Sequence, residues 1–159
     1  MTPHTPITDQ LGEPLGKILG VVGRGLRSLL DERLKPLDLG GSRWCVLLVL
    51  DILGEPSPQK LIAQHIGIEG ATLVGVLDEL EERGLVRRKP DNRDRRVKLV
   101  ELLPGAVPLL KRVVSEGSAM EDEVFGVLPA DHRKQLRQDM LIVRQRLGAM
   151  LGKEPVDSL

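Results

Sequence analysis

Residues 57–100 read SPQKLIAQHIGIEGATLVGVLDELEERGLVRRKPDNRDRRVKLV, and the order of apolar, small and basic positions in this stretch decides the fold. Ile62, Ala63, Ile66, Ile68, Leu73, Val76, Leu77 and Leu80 fall where two helices crossing at a steep angle bury a shared core. Ala63 keeps the crossing backbones close, and Gly67 falls at the turn, which needs a residue tolerant of positive φ. Ser57 is expected to cap the first helix, with Pro58 at its first position, where a missing N–H costs nothing. The second helix, Glu69 to Arg83, ends on a basic last turn followed by Gly84. Small-plus-glycine spacing alone also suits a plain helical hairpin.

The sequel argues for more. Leu85 to Lys89 and Arg96 to Val100 are strand candidates, with Val97 and Leu99 alternating against Arg96 and Lys98 around a turn-rich tip, Pro90 to Arg95. The order is helix, turn, helix, hairpin, a winged helix-turn-helix. From Arg83 to Lys98 there are eight basic residues and only Asp91 and Asp94 against them. That local excess of six sits in a chain whose Lys plus Arg, 23, equals its Asp plus Glu, 23, for a net charge of zero. A zero total excludes a protein that coats nucleic acid with its whole surface, so any phosphate contact is local. Asp94 is expected to orient one arginine through a carboxylate fork and leave another free to reach DNA.

Outward from this module the chain reads as helices. Leu15, Ile18, Leu19, Val22, Leu26, Leu29 and Leu30 recur at helical spacing before Pro36. Gly16, Gly20, Gly23 and Gly25 each cost that helix about 1 kcal/mol relative to alanine, so packing must hold it. Ser42 is expected to cap a nearly all-apolar helix through Trp44, Val46, Leu47, Val49 and Leu50, broken at Gly54. Pro104 to Leu128 and Asp131 to Leu151 are two further helices, the last with a stripe of Leu136, Met140, Val143, Leu147 and Leu151. These apolar faces exceed what one small module can bury and predict pairing with a second copy of the chain. The expected organisation is a loose arm over 1–10, dimerisation helices over 11–40 and 104–152, the winged module over 41–103 and a tail over 153–159.

At 159 residues and 41% hydrophobic, the chain can bury a real core, but with only Trp44 and Phe125 as aromatics, Leu, Val and Ile supply it. One cysteine, Cys45, permits no internal disulfide and suggests a reducing cytoplasm; its neighbours Val46, Leu47 and Leu48 argue for burial rather than sensing. The longest apolar run, Cys45 to Leu50, is far short of the roughly 20 residues that span a bilayer, so no membrane partner is expected. His4, His65 and His132 are scattered, and phosphate-loop, paired-cysteine and nucleophile-elbow motifs are absent. No metal, no cofactor and no enzymatic activity are expected.

The run Leu77, Asp78, Glu79, Leu80, Glu81, Glu82, Arg83, Gly84, Leu85, Val86, followed by Asp94, Arg95 and Arg96, resembles the MarR family of bacterial regulators. Arg33, Leu34, Lys35, Pro36 and Leu37, then Trp44, and Ile68 and Glu69 before Thr72, Leu73 and Val74, are similar to its SlyA branch. The resemblance covers roughly Pro14 to Leu151. It implies a mainly α homodimer with a small β wing, intertwined through the terminal helices, that presents two winged modules to a palindromic operator. It also implies that small phenolic or carboxylate ligands modulate DNA affinity from a cleft between the dimerisation helices and the module. Arg24, Lys35 and Trp44 are the expected lining, cations for a carboxylate and a ring for stacking.

Residues expected at the double-stranded DNA are Ser57 and Gln59, then Gly70, Ala71, Thr72, Val74 and Gly75 on the second helix, and Arg87, Arg88, Arg93, Asp94, Arg95 and Arg96 on the wing. One departure stands out: SlyA-like proteins usually carry an arginine where this chain has Gly75. Without a bidentate reader of guanine, base readout is expected to be thin, with specificity leaning on the wing and on DNA shape. Gly75 and the acidic pair Asp78 and Glu79 also admit a second reading, a winged-helix protein-interaction module that has lost specific DNA binding.

Overall fold

In the computed structural model, which describes residues 13–152, every predicted element is present and several boundaries move. Helix α1, Leu15–Leu34, leads through a 3₁₀ turn, Lys35–Leu37, to α2, Arg43–Leu53. A short strand β1, Ser57–Pro58, precedes α3, Gln59–Ile66, and α4, Gly70–Glu82. The hairpin is β2, Val86–Pro90, and β3, Lys98–Leu102; a 3₁₀ turn, Pro104–Ala106, then opens α5, Val107–Phe125, and α6 is Ala130–Leu151. The arm over 1–10 and the tail over 153–159 lie outside the described residues, as does the expected start of order at Leu11.

Helix α2 is the hub, because its sequence is apolar on nearly every side. Cys45, Val46, Leu47, Val49 and Leu50 are all buried, and the helix contacts α3, α4, α5 and β3. Its end is set by Gly54, whose φ of 66° turns the chain out of the helix. Around it Ile62, Leu73, Leu77, Leu80, Val86 and Val100 are fully buried, so the helix-turn-helix and the hairpin share one core. Ser42 stands at the cap position of α2, but its side chain makes no capping bond.

Ser57 does not cap α3. The residue before a proline is pushed to extended backbone, and Ser57 pairs with Val100 while Pro58 pairs with Leu99, adding a third strand in the order β1-β3-β2. Pro58 itself becomes the cap residue, at ψ 137°. The hairpin lies slightly C-terminal to its expected position, with Val86 opposite Leu102 and Pro90 opposite Lys98. Val100, rather than Leu99, turns to the core. Its tip is correspondingly longer, closed by Asp91 N–H to Val97 O at 3.0 Å and Val97 N–H to Asp94 O at 2.9 Å.

Helix α1 packs on α5, and an Arg33 to Glu123 ion pair at 2.6 Å joins them. Helix α6 is different: none of its 22 residues is buried. Its stripe faces outward along its second half, with Val143 42%, Leu147 53% and Leu151 66% exposed and Leu136 and Met140 half-buried.

Candidate nucleic-acid interface

Helices α3 and α4 meet at Gly67, whose φ of 75° lets its N–H and that of Ile68 close onto Ala63 O at 2.9 and 3.1 Å. Ala63 is buried at the crossing. Helix α4 buries Leu73, Leu77 and Leu80, so at about 100° per residue its outer ridge runs through Ala71, Gly75, Asp78 and Glu79, flanked by Val74 and Thr72. All six are exposed, as is Gly70 at the helix start. A cavity of about 480 Å³ opens beside this ridge between α3 and α4, lined by Gln59, Lys60, Ala63, Gln64, Leu73 and Val74. Gln59 Nε2 is buried without a hydrogen-bond partner.

Ser57, expected at the DNA, is only 3% exposed, and its hydroxyl donates to Glu55 O at 3.1 Å. Strand pairing with β3 turns it inward, which removes it from the candidate contacts.

The basic excess of the wing divides into paired and unpaired groups. Arg88 donates from Nε and Nη2 to Glu81 at 2.8 and 2.6 Å and reaches Asp78 at 2.6 Å, clamping the base of the wing to α4. Bonds from the Arg88 backbone and guanidinium hold the Glu81 carboxyl below its ordinary range. Lys89 and Arg87 both pair with Glu101 across the hairpin and lower its carboxyl in the same way. Asp94 receives the Arg96 backbone N–H at 3.0 Å and its guanidinium at 3.1 and 3.3 Å. Asp94 therefore orients Arg96, which remains 92% exposed in its side chain. Among the described residues, Arg93, Arg95 and Lys98 have no ion-pair partner.

The acidic residues of α4 are engaged as well. Asp78 is held by Arg88, and Glu79 by Arg43 from the start of α2. Arg83, at the end of α4, donates to the carbonyls of Asp38 and Leu37 at 2.6 and 3.1 Å, fixing the helix to the turn after α1. Sequence reading missed Arg43 and Arg83 as struts and Lys98 as a candidate contact.

The expected ligand-lining trio is not assembled. Trp44 donates its indole N–H to Asp31 at 2.7 Å, and the cation on its ring, 5.8 Å from the centroid, is Arg27. Arg24 stands exposed on α1 one turn earlier, and the Lys35 ammonium pairs with Glu32 at 3.2 Å. Arg27 is exposed like Arg24, but its place one turn further along α1 lets its guanidinium reach Cys45 and Trp44 of α2.

Arg27 also donates to the Cys45 thiol at 3.2 Å. Burial nevertheless pushes that thiol from 9.0 to about 11, the guanidinium opposing it only in part. Its stabilising contribution is therefore complete below pH 9.0 and is lost as pH rises through about 11. Two pKa units correspond to about 2–3 kcal/mol. Denaturation midpoints should fall over that window in the parent protein and less in Cys45→Ala. Alkylation of Cys45 at pH 8 should be about 100-fold slower than that of a free thiol.

Residues 37–97, which hold the recognition elements and most of the wing, match the model of the MarR family. Over 86% of its length the chain is 33% identical to the transcriptional regulator PA3341, covering 99% of that protein with a TM-score of 0.74. The chain belongs to the MarR family of transcription regulators. This MarR-family chain is also similar to CouR from Rhodococcus jostii RHA1, a structure bound to p-coumaroyl-CoA, with 27% identity, 88% and 95% coverage and a TM-score of 0.68. It shares the fold of a mutant MarR from E. coli complexed with operator DNA, at 24% identity, 87% and 99% coverage and a TM-score of 0.72. Among the described residues, no helix is long and apolar enough to cross a membrane, and no group of three His, Cys, Asp or Glu is placed to hold a metal ion.

Proposed function

We propose that this MarR-family regulator acts as a cytoplasmic homodimer that grips a palindromic operator, with α4 in the major groove and the wing against the adjacent backbone or minor groove. The observation that carries the reading is the charge division of the wing. In a chain of net charge zero, Arg93, Arg95 and Lys98 are left unpaired and Arg96 is oriented outward, all on the hairpin that flanks α4. Asp78 and Glu79, which favour a protein-interaction surface when read alone, are neutralised by Arg88 and Arg43.

Dimerisation is supported by the unpartnered helices. Leu15, Ile18, Leu19 and Val22 on α1, and Leu147, Met150 and Leu151 on α6, are exposed, a surface that a second copy of the chain would cover. The domain division proposed from this pairing assigns α1, α5 and α6 to dimerisation and the elements between to DNA.

A small aromatic or anionic ligand is proposed to modulate DNA affinity near Trp44, where α1 meets the module. Such a ligand would compete with Asp31 for the indole N–H or recruit Arg27. The affiliation to the SlyA-like branch rests on the Arg33 to Trp44 segment and is part of the same proposal.

Footprinting on the promoter next to the protein's own gene tests the reading. The expected result is one protected region with two-fold symmetry, its half-sites one helical turn or a multiple apart. Protection without symmetry, or none, would contradict it.

A further inference from the structure

Gly75 sits at the middle of α4, where glycine weakens a helix relative to alanine. Nothing inside the molecule asks for it. Its φ is not in the left-handed region, where the described glycines are Gly41, Gly54, Gly67, Gly84 and Gly152. Beyond the backbone of its own helical turns, a Cβ built there would meet no atom within 4 Å. Gly75 also lies opposite the buried Leu73, Leu77 and Leu80, at the point of the helix farthest from the core. The fold would accept a side chain at this position, so glycine there leaves the outer ridge bare for whatever approaches from outside.

The neighbouring chemistry says what approaches. Around Gly75 the first turns of α4 present Ala71, the methyl and hydroxyl of Thr72, and Val74, which is 44% exposed. The ridge carries no long donor, and its carboxylates, Asp78 and Glu79, are drawn aside by Arg88 and Arg43. A smooth, methyl-bearing surface whose one side-chain donor is the short Thr72 hydroxyl suits the one apolar group that base pairs display in the major groove, the C5 methyl of thymine. Building on the DNA-binding reading above, we propose that Gly75 lets α4 seat deeply in the major groove so that Ala71, Thr72 and Val74 read thymine methyls. The operator half-site therefore carries A·T pairs under α4, and Gly75 and Val74 determine specificity where a guanine-reading arginine is missing.

The test uses the full-length protein and the footprinted operator, with thymidine replaced by deoxyuridine one position at a time. This deletes the methyl and keeps the pairing. Affinity should fall about fourfold at one or two positions per half-site, the effect of one buried methyl-sized group. In Val74→Ser the sensitivity at one of those positions should vanish. Gly75→Ala should raise the melting temperature by a few degrees while lowering operator affinity about tenfold, leaving affinity for random duplex unchanged. Equal affinity for thymidine and deoxyuridine operators, or full operator affinity in Gly75→Ala, overturns the methyl reading and leaves DNA binding standing. Lack of any preference for the operator over random duplex overturns both.

Discussion

Replacing Arg93, Arg95 and Lys98 together by alanine removes six cations from the dimer and should lower operator affinity on the order of 10⁴-fold near 0.15 M salt and flatten the salt dependence by a slope of about five. Each is an unpaired cation on the wing tip or at the start of β3, so each can release about one condensed counterion from DNA. Arg87→Ala removes a cation of equal formal charge from the same hairpin. Arg87, however, is already paired with Glu101, and Lys89 remains to hold that carboxylate. Its slope should change by much less than one. A wing that acted only through bulk charge would give the same loss per cation at all four positions. Electrophoretic or fluorescence titrations at several salt concentrations distinguish the two patterns.

The second large effect is expected at α6. Leu147→Asp combined with Met150→Asp places charges on two side chains that the lone chain leaves exposed. The monomer should tolerate them, since α6 buries nothing of its own. In a two-fold dimer each change occurs twice, and losing about 1.5 kcal/mol per buried side chain removes about 6 kcal/mol of association energy. That is roughly a 10⁴-fold weaker dimer. Light scattering should report monomer at micromolar concentration with helical circular dichroism retained, and operator affinity should fall to that of a single half-site. A dimer of unchanged strength would remove α6 from the interface.

The parts of the fold that were legible in the sequence are those in which period and burial coincide locally. Of the eight positions whose spacing marks the core of two crossing helices, Ile62, Ala63, Ile66, Leu73, Leu77 and Leu80 are buried, and Ile68 and Val76 are half-buried against them. The stripe of α6 was equally visible, because a 3.6-residue repeat needs no tertiary information. What escaped depends on partners distant in the chain. Ser57 reads locally as a helix cap and is a strand only because Val100 lies beside it. The wing register slipped because alternation alone does not say which of Leu99 and Val100 faces α2.

Charges obey the same division. The basic excess of the hairpin was countable, but its sorting was not. Arg88 is tied to α4 by Glu81, and Glu79 is neutralised from α2 by Arg43, a residue 36 positions away. Sequence distance hides such pairs. At Trp44 the phase of α1, which a local pattern does not relate to α2, brings Arg27 rather than the expected ligand-lining Arg24 to the ring.

The most direct test compares affinity for the protein's own upstream region with affinity for a random duplex of equal length across a salt series. A regulator of the proposed kind shows a specific excess of at least about 10³-fold near 0.15 M salt, with both affinities falling steeply as salt rises. Equal affinity for the two duplexes at every salt concentration would contradict operator recognition and make this winged module a protein-interaction surface.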